Sequence, residues 1–373
     1  MNDKRQFSVA FPCIEGQETV DDVISYFSQY KDNIENMYLG IPSLGNNYHN
    51  IEYHLKGRNL DKTIDEYNGE CIEFLEKSKG LFKRLITLNS GCYNLSYENL
   101  CVYVNEKLVP FFEQYEVDGC ICTDFNMAAL LHNAMPALEL HSSCNSYIET
   151  KREMDLWHDW AGITVFNPPR EFLRTPHKLK EMRESGYKLK YLVNESCLYG
   201  CPQSKNHLMA QAVNNLGFVS KCYHCEEGNF LRSVCVVPRW LDKLDPYVDI
   251  YKISGRMCSL ASVRRTFEAY FYESNDVDMG LITYGSGSMT FKNIIASDFP
   301  DKLLECECKD CKKCGLCDRI VAKRSHAIYY KCDYTDDEYK SMINSFESIS
   351  CFSGQKLEYG SDRFGEYFRL IIE

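Results

Sequence analysis

The stretch GCICTDFNMAALLHN, residues 119–133, decides how the chain is read. A short apolar, β-rich run, GCICTD (119–124), is followed at once by a longer helical stretch near 125–133. The same change of pattern recurs on both sides. FSVAF (7–11) precedes a helix near 19–31, NMYLGI (36–41) one near 66–79, and LITLN (85–89) one near 97–115. Further on, LELHSS (138–143), ITVFNP (163–168), KYLVNE (190–195) and VDIYKI (248–253) continue the alternation, the last before a helix near 259–273. Repeated strand–helix units of this number and span predict an α/β fold, an eightfold β/α (TIM-type) barrel. An open doubly wound sheet is the alternative, but no GxGxxG turn follows the first strand.

Past residue 275 the alternation stops. A cysteine cluster is followed by a strand over HAIYYKC (326–332) and a helix near 335–348. A chain of 373 residues exceeds the roughly 250–300 that one core usually serves, so two units are expected. They are a barrel over 1–275 with cysteine-bearing loops, and a small cysteine-rich domain over 276–373 packed against it. Hydrophobic content of 45% with 25% charged residues suits a globular protein with a large core. No run reaches the roughly 18 apolar residues of a membrane span, and MNDKRQFSVAFP lacks a cleavable leader pattern, so a cytoplasmic location is expected. The net charge of -11 argues against a broad basic surface for nucleic acid, leaving Arg264 and Arg265 as a local patch.

Twenty cysteines in a reducing compartment point to metal rather than disulfides. In CECKDCKKCGLC (306–317), Cys308, Cys311, Cys314 and Cys317 recur at intervals of three, with Cys306 to spare. This compact run resembles bacterial ferredoxin-type ligation of a four-iron four-sulfur cluster. Tetrahedral zinc on paired CxxC units, or plain structural cysteines, are the alternatives. A second constellation comprises Cys197 and Cys201 in VNESCLYGCPQSKNH, Cys222 and Cys225 in KCYHC, and Cys235. Four of these thiols on one rim could hold a second cluster, with Cys235 a replacement ligand. His207 and His224 are either odd ligands or satisfied histidines of a polar loop. Ser204 stands where a radical S-adenosylmethionine motif, CxxxCxxC, needs its third cysteine, which argues against that chemistry. Cys13, Cys71, Cys92, Cys101, Cys120, Cys122, Cys144, Cys258, Cys332 and Cys351 read as packing residues. Cys13, just after the first strand, is the one that could face the same rim.

Several segments, in order, resemble the collagenase-like peptidase family U32. MYLGIP resembles that family's V-Y-L-G segment, VFNPPREFL its L-P-R-E-L segment, and ELHSSCNSYIET its strand with a serine-rich end. YKISGRMCSLASVRRTFEAY resembles the signature K-I-E-G-R-M-K-S and the tyrosine-bearing helix after it. The resemblance covers roughly residues 7 to 275. The chain departs from the pattern at Ser254, in place of glutamate, at Cys258, in place of lysine, and at Asn194-Glu195-Ser196-Cys197, in place of H-G-x-x-C. The resemblance implies a barrel with an iron–sulfur cluster on four cysteines, Cys197, Cys201 and Cys222 with Cys225 or Cys235. It also implies kinship with enzymes that hydroxylate RNA bases or quinone precursors without oxygen.

Chemistry in such a barrel sits on loops after the C-terminal ends of the strands, where Arg170, Glu171, Glu195 and Arg256 fall. Arginine suits a carboxylate or phosphate, and Glu195 a proton carrier. Alternatively, Arg170–Glu171 or Glu195–Arg256 pairs simply hold strand ends together. The expected function is that of an iron–sulfur redox enzyme, with two four-iron four-sulfur clusters or zinc in their place. It would modify a substrate without oxygen, the C-terminal cluster relaying electrons to the barrel cluster. An electron-donor protein or partner enzyme is implied, and the substrate is a small molecule, a peptide or RNA. A peptidase is the second reading, although neither HExxH nor a cysteine with a placed histidine supports it, and GSGS at 285–288 is no nucleophile elbow. A zinc- or cluster-stabilised scaffold, or an electron carrier, is the third.

Overall fold

The computed structural model describes residues 5–44, 62–91, 93, 95–195, 197–207, 231–256, 258–283, 294–306, 310–322, 326–330, 339–344, 356–362 and 365–371. Eight parallel strands close into a barrel in sequence order. They are β1 (Gln6–Ala10), β2 (Ile34–Leu39), β3 (Lys83–Leu88), β4 (Gly119–Cys122), β5 (Glu139–Ser142), β6 (Ile163–Phe166), β7 (Lys188–Leu192) and β8 (Ile250–Ile253). Each coincides with one of the eight runs read from the sequence. Closure pairs Ser8 on β1 with Lys252 on β8.

The two-residue period of the strands sorts their side chains onto two faces. Val9, Leu39, Ile86 and Cys120 join the large apolar cluster under the helices. Ala10, Tyr38, Leu85 and Ile121, one position away on the same strands, form a separate cluster inside the barrel. The rest of the interior is polar for a packed barrel core. Ser8 donates to Asn36 Oδ1 at 2.5 Å, Lys190 Nζ lies 3.5 Å from Ser8 Oγ, and His141 Nε2 lies 2.8 Å from Glu139 Oε1.

The helices begin where local chemistry satisfies their free N–H groups. Thr19 with Asp22, Thr63 with Glu66, and Thr150 with Glu153 form reciprocal capping boxes before Val20–Ser28, Ile64–Lys77 and Lys151–Ala161. The stretch expected as one helix near 97–115 is three pieces. Tyr97–Tyr103 passes into a π turn, Val104–Leu108, before Val109–Gln114. Pro110, early in the last piece, has no N–H to offer the preceding turn.

Past residue 275 the barrel's core continues. Met279, Ile294, Phe299, Leu303 and Leu304 are buried in the same cluster as the barrel's outer face, as is Cys317. Arg239 ties the connection, donating to the carbonyls of Ala296, at 2.6 Å, and Phe299. A three-stranded antiparallel sheet follows, in the order β10 (Lys356–Asp362), β11 (Gly365–Ile371), β9 (His326–Tyr330). Strand β9 lies where HAIYYKC predicted a strand, and residues 339–344 are helical within the expected 335–348. Among the described residues no helix is long and apolar enough to cross a membrane.

Candidate functional site at the barrel mouth

The loops after β5, β6, β7 and β8 bring together what the sequence scattered. Asn194, after β7, uses its side-chain amide as a clip. Its Nδ2 donates to Ser254 O at 2.9 Å and its Oδ1 accepts from Ser254 N at 2.7 Å, so the loops carrying Glu195 and Arg256 are held side by side. Gly255 then turns the chain at φ +153, where a built Cβ would meet Val263 at 3.0 Å. From there Arg256 reaches across the mouth and donates to Thr87 Oγ1, at the end of β3, at 2.6 Å.

Arg170, after β6, is the centre of the neighbouring side. It is 4% exposed, and Tyr191 holds its backbone carbonyl through a 2.6 Å bond. Its guanidinium lies 3.2 Å from Glu195 Oε2, 3.3 Å from Cys197 Sγ and 3.9 Å from Cys144 Sγ, and it donates to Asn145 Oδ1. The ion pair at the rim is therefore Arg170–Glu195. Neither expected pairing, Arg170–Glu171 or Glu195–Arg256, is among the described ion pairs. Barrel closure sets adjacent loops facing each other, whereas chain neighbours such as Arg170 and Glu171 diverge. Glu171 has a buried Oε2 with no hydrogen-bond partner among the described residues.

Beneath these loops two lysines stand inside the barrel. Lys252 is 5% exposed, lies 4.5 Å over the Tyr38 ring, and has no hydrogen bond among the described residues. Burial, with Arg256 and Arg170 nearby, pushes its ammonium down to about 8 against the partial support of Cys144 and Glu195. Lys190, deeper and fully buried, is pushed far down by burial and by Lys252 itself. His141 falls to about 3 through burial, so it is neutral and donates to Glu139. Tyr38, Thr87 and Asn145 are mouth residues that the sequence reading did not single out, Lys252 entered it only as the first residue of the K-I-x-G-R segment, and Cys144 only as a packing cysteine. The signal available for Lys252 was a lone lysine in the apolar strand IYKI, on the face shared with Ile250.

Of the expected barrel ligands, Cys197 and Cys201 are half-buried on this rim, close enough for Cys201 to raise the Cys197 thiol. Burial, followed by Glu195, takes Cys197 up to about 12, and Arg170 opposes the rise. Cys222, Cys225 and His224 lie outside the described residues. Cys235 is fully buried in the apolar core, with the Ser233 hydroxyl 3.1 Å from its sulfur. Cys13 likewise packs into the core, 0% exposed, rather than facing the rim. Cys144, expected as packing, instead sits at the mouth beside Arg170. Ser204, at the missing third position of CxxxCxxC, lies 2.9 Å from the Tyr147 hydroxyl. His207 closes the turn through its N–H to Gln203 O at 2.7 Å.

A second pocket lies between the 231–234 segment and the C-terminal cysteines. Arg232, Leu303, Cys306, Asp310, Cys311, Cys314, Leu316 and Cys317 line it. Asp310 caps the short helix Cys311–Cys314, and Gly315 at φ +56 turns the chain so that Cys317 returns to the same wall. Cys306 lines the pocket with Cys311, Cys314 and Cys317, and Cys308 lies outside the described residues. Four thiols beside the one carboxylate, Asp310, suit a soft metal or an iron–sulfur group. The sulfurs surround the pocket without converging: among the described residues no three His, Cys, Asp or Glu side chains meet as a metal-binding group.

The mouth and this pocket share one short ladder. Val234 N donates to Cys197 O at 2.9 Å, and Tyr199 N to Arg232 O at 3.0 Å. Arg232 then pairs with Asp318 at 2.7 Å beside the pocket. Arg174, 1% exposed, ties the ladder down, donating to the carbonyls of Leu231, at 2.7 Å, Ser233, at 2.6 Å, and Leu303.

Residues 28–213 match the profile of peptidase family U32. An uncharacterized protease of Methanocaldococcus jannaschii is 26% identical over 229 residues, 57% of this chain and 68% of that protein. Among solved structures, a U32 peptidase is 12% identical with a TM-score of 0.45, covering 68% of this chain and 95% of the other. An adenine deaminase from Arthrobacter aurescens is 10% identical with a TM-score of 0.33, covering 82% and 80%. From the profile match and the segments in order, the chain belongs to peptidase family U32.

Proposed function

We propose that the protein is an iron–sulfur-dependent enzyme that modifies its substrate, without oxygen, at the C-terminal mouth of the barrel. One observation carries this reading: the mouth thiol Cys197 and the pocket of Cys306, Cys311, Cys314 and Cys317 flank one hydrogen-bonded ladder, Cys197–Tyr199 against Arg232–Val234. Two thiol-lined sites joined by so short a stretch of backbone suit a relay from one to the other. Cys197 and Cys201, with Cys222 and Cys225, would hold the group at the mouth, and the four pocket cysteines the second. Iron–sulfur groups on such thiolates supply one-electron transfer at a potential set by charge, hydrogen bonds and exposure.

The chain's own residues supply the rest. Arg170 places a buried positive charge against Cys197, which favours a thiolate there. Glu195, half-buried and oriented by Arg170, is placed to carry a proton at Oε2. The Asn194 clip and the Arg256 reach to Thr87 fix the width of the mouth. The peptidase reading has weaker support. Among the described residues, the hydrogen-bond partners of Cys144 and Cys197 are Arg170 and Asn145, neither of them the histidine base that a cysteine nucleophile uses.

The test is reductive titration of the full chain, purified without oxygen, followed by visible absorption and electron paramagnetic resonance. The expected result is a brown protein bleached by dithionite, with Cys197→Ala and Cys317→Ala each removing a different part of the signal. A colourless chain with no reducible absorbance would overturn the proposal and favour a zinc-stabilised scaffold.

A further inference from the structure

Resting on the placement of the substrate at the mouth, we infer that Lys252 and Arg256, with Arg170 beside them, form a subsite for an oxyanion of the substrate, a carboxylate or a phosphate. Lys252 is 5% exposed, yet its ammonium lies over the face of Tyr38 with no hydrogen bond among the described residues. A buried ammonium without a hydrogen-bonding partner is costly unless something completes it. Among the described residues, no carboxylate pairs with it. Glu195 is the acidic side chain that acts on Lys252, and Arg170 already engages it at 3.2 Å. Arg256 has no ion pair among the described residues, and its one described bond is to a neutral hydroxyl, Thr87 Oγ1, at 2.6 Å. Among the described residues, one of these three cations has a carboxylate partner, Glu195 on Arg170, at the end of the barrel where β/α barrels bind their ligands.

The cations are also fixed in place. Lys252 is paired into the sheet between Ser8 and Leu192, and Tyr38, whose ring it covers, donates to Ile253 O at 2.8 Å. Gly255 and the Asn194 clip direct Arg256 over the same opening. A planar guanidinium above and a point charge below suit a small oxyanion, held bidentately from one side and capped from the other. The surface as a whole repels anions, since the net charge is -11, so binding here has to be local.

The experiment is calorimetric titration of the full chain with inorganic phosphate and, separately, with succinate, in about 0.15 M salt so that exposed charges are screened. At least one of the two is expected to bind the wild type. Lys252→Met and Arg256→Gln are each expected to weaken it on the order of 30-fold or more. Phosphate alone would mark a phosphorylated substrate, succinate alone a carboxylate, and both a site for either oxyanion. Thermal unfolding without added anion checks that each variant is folded. Failure of both ligands to bind the wild type, or undiminished binding by folded variants, overturns the inference. Iron content plays no part in this readout. A colourless protein that binds anions would retire the iron–sulfur proposal alone, and an iron-loaded protein that ignores them would retire this one alone.

Discussion

Replacing Lys252 by methionine should stabilise the protein while removing a functional charge. The buried ammonium titrates at about 8 in the fold and at 10.5 when unperturbed, a difference of 2.5 from 10.5 − 8. At 1.36 kcal/mol for each unit, holding the charge costs roughly 3 kcal/mol at neutral pH. Methionine keeps the length of the stem and the packing, and forfeits a contact with Tyr38 that contributes about 1 kcal/mol. The net expectation is a gain of roughly 2 kcal/mol for Lys252→Met at pH 7, measured by urea denaturation. The pH dependence is signed. Below about pH 8 the lysine is protonated in both folded and unfolded chains, and the full penalty applies. From there to about 10.5 the folded chain gives up its proton before the unfolded chain does, so the wild type regains stability and the gap to the variant closes. A variant less stable than the wild type at pH 7, or a gap that stays constant up to pH 10.5, would refute the account of Lys252 as an unpaired buried cation.

Arg170→Ala should cost about 3–5 kcal/mol, because it strands Glu195 at the rim and removes the donor to Asn145 and Cys197. Adding Glu195→Gln should recover part of that loss, and strictly additive effects in a double-mutant cycle by chemical denaturation would contradict the pairing. Gly255→Ala should cost about 1–3 kcal/mol, since an alanine there must hold φ near +153 with its Cβ against Val263. It should also weaken phosphate or succinate binding by misdirecting Arg256, and a fully stable variant with unchanged anion affinity would count against that role for the turn.

Much of the barrel was legible because its evidence is local. Each strand is a short apolar run that a helix follows within the same stretch of sequence, and hydrophobic patterning along a chain reports directly on such units. The break in the helix near Val104 was harder to see, although Pro110 is visible in the sequence. The mouth was legible only as a set of loops. Arg170, Glu195 and Arg256 were expected there, with Arg170–Glu171 or Glu195–Arg256 pairs as the structural alternative to a catalytic role. The pairing that exists, Arg170 with Glu195, depends on which loops closure sets face to face. Lys252, quoted only within the K-I-x-G-R segment, and Cys144, read as packing, were not placed at the mouth, for related reasons. Inside a barrel a lysine in an apolar strand looks like a surface residue until the sheet closes, and a single cysteine at a strand end carries the same signature as a packing residue. At the C-terminal run, spacing identified the thiols but not that Cys306 stands on one wall with Cys311, Cys314 and Cys317. The turn at Gly315 and the packing of Leu303, which bring Cys306 onto the pocket wall, are tertiary facts.

The most direct test of the central claim is the iron, sulfide and zinc content of the full chain purified without oxygen, measured for the wild type, Cys197→Ala and Cys317→Ala. Two four-iron groups predict about eight irons per chain with matching sulfide, and a loss of about four in each variant. Zinc in the absence of iron and sulfide, unchanged by Cys197→Ala, would contradict the account.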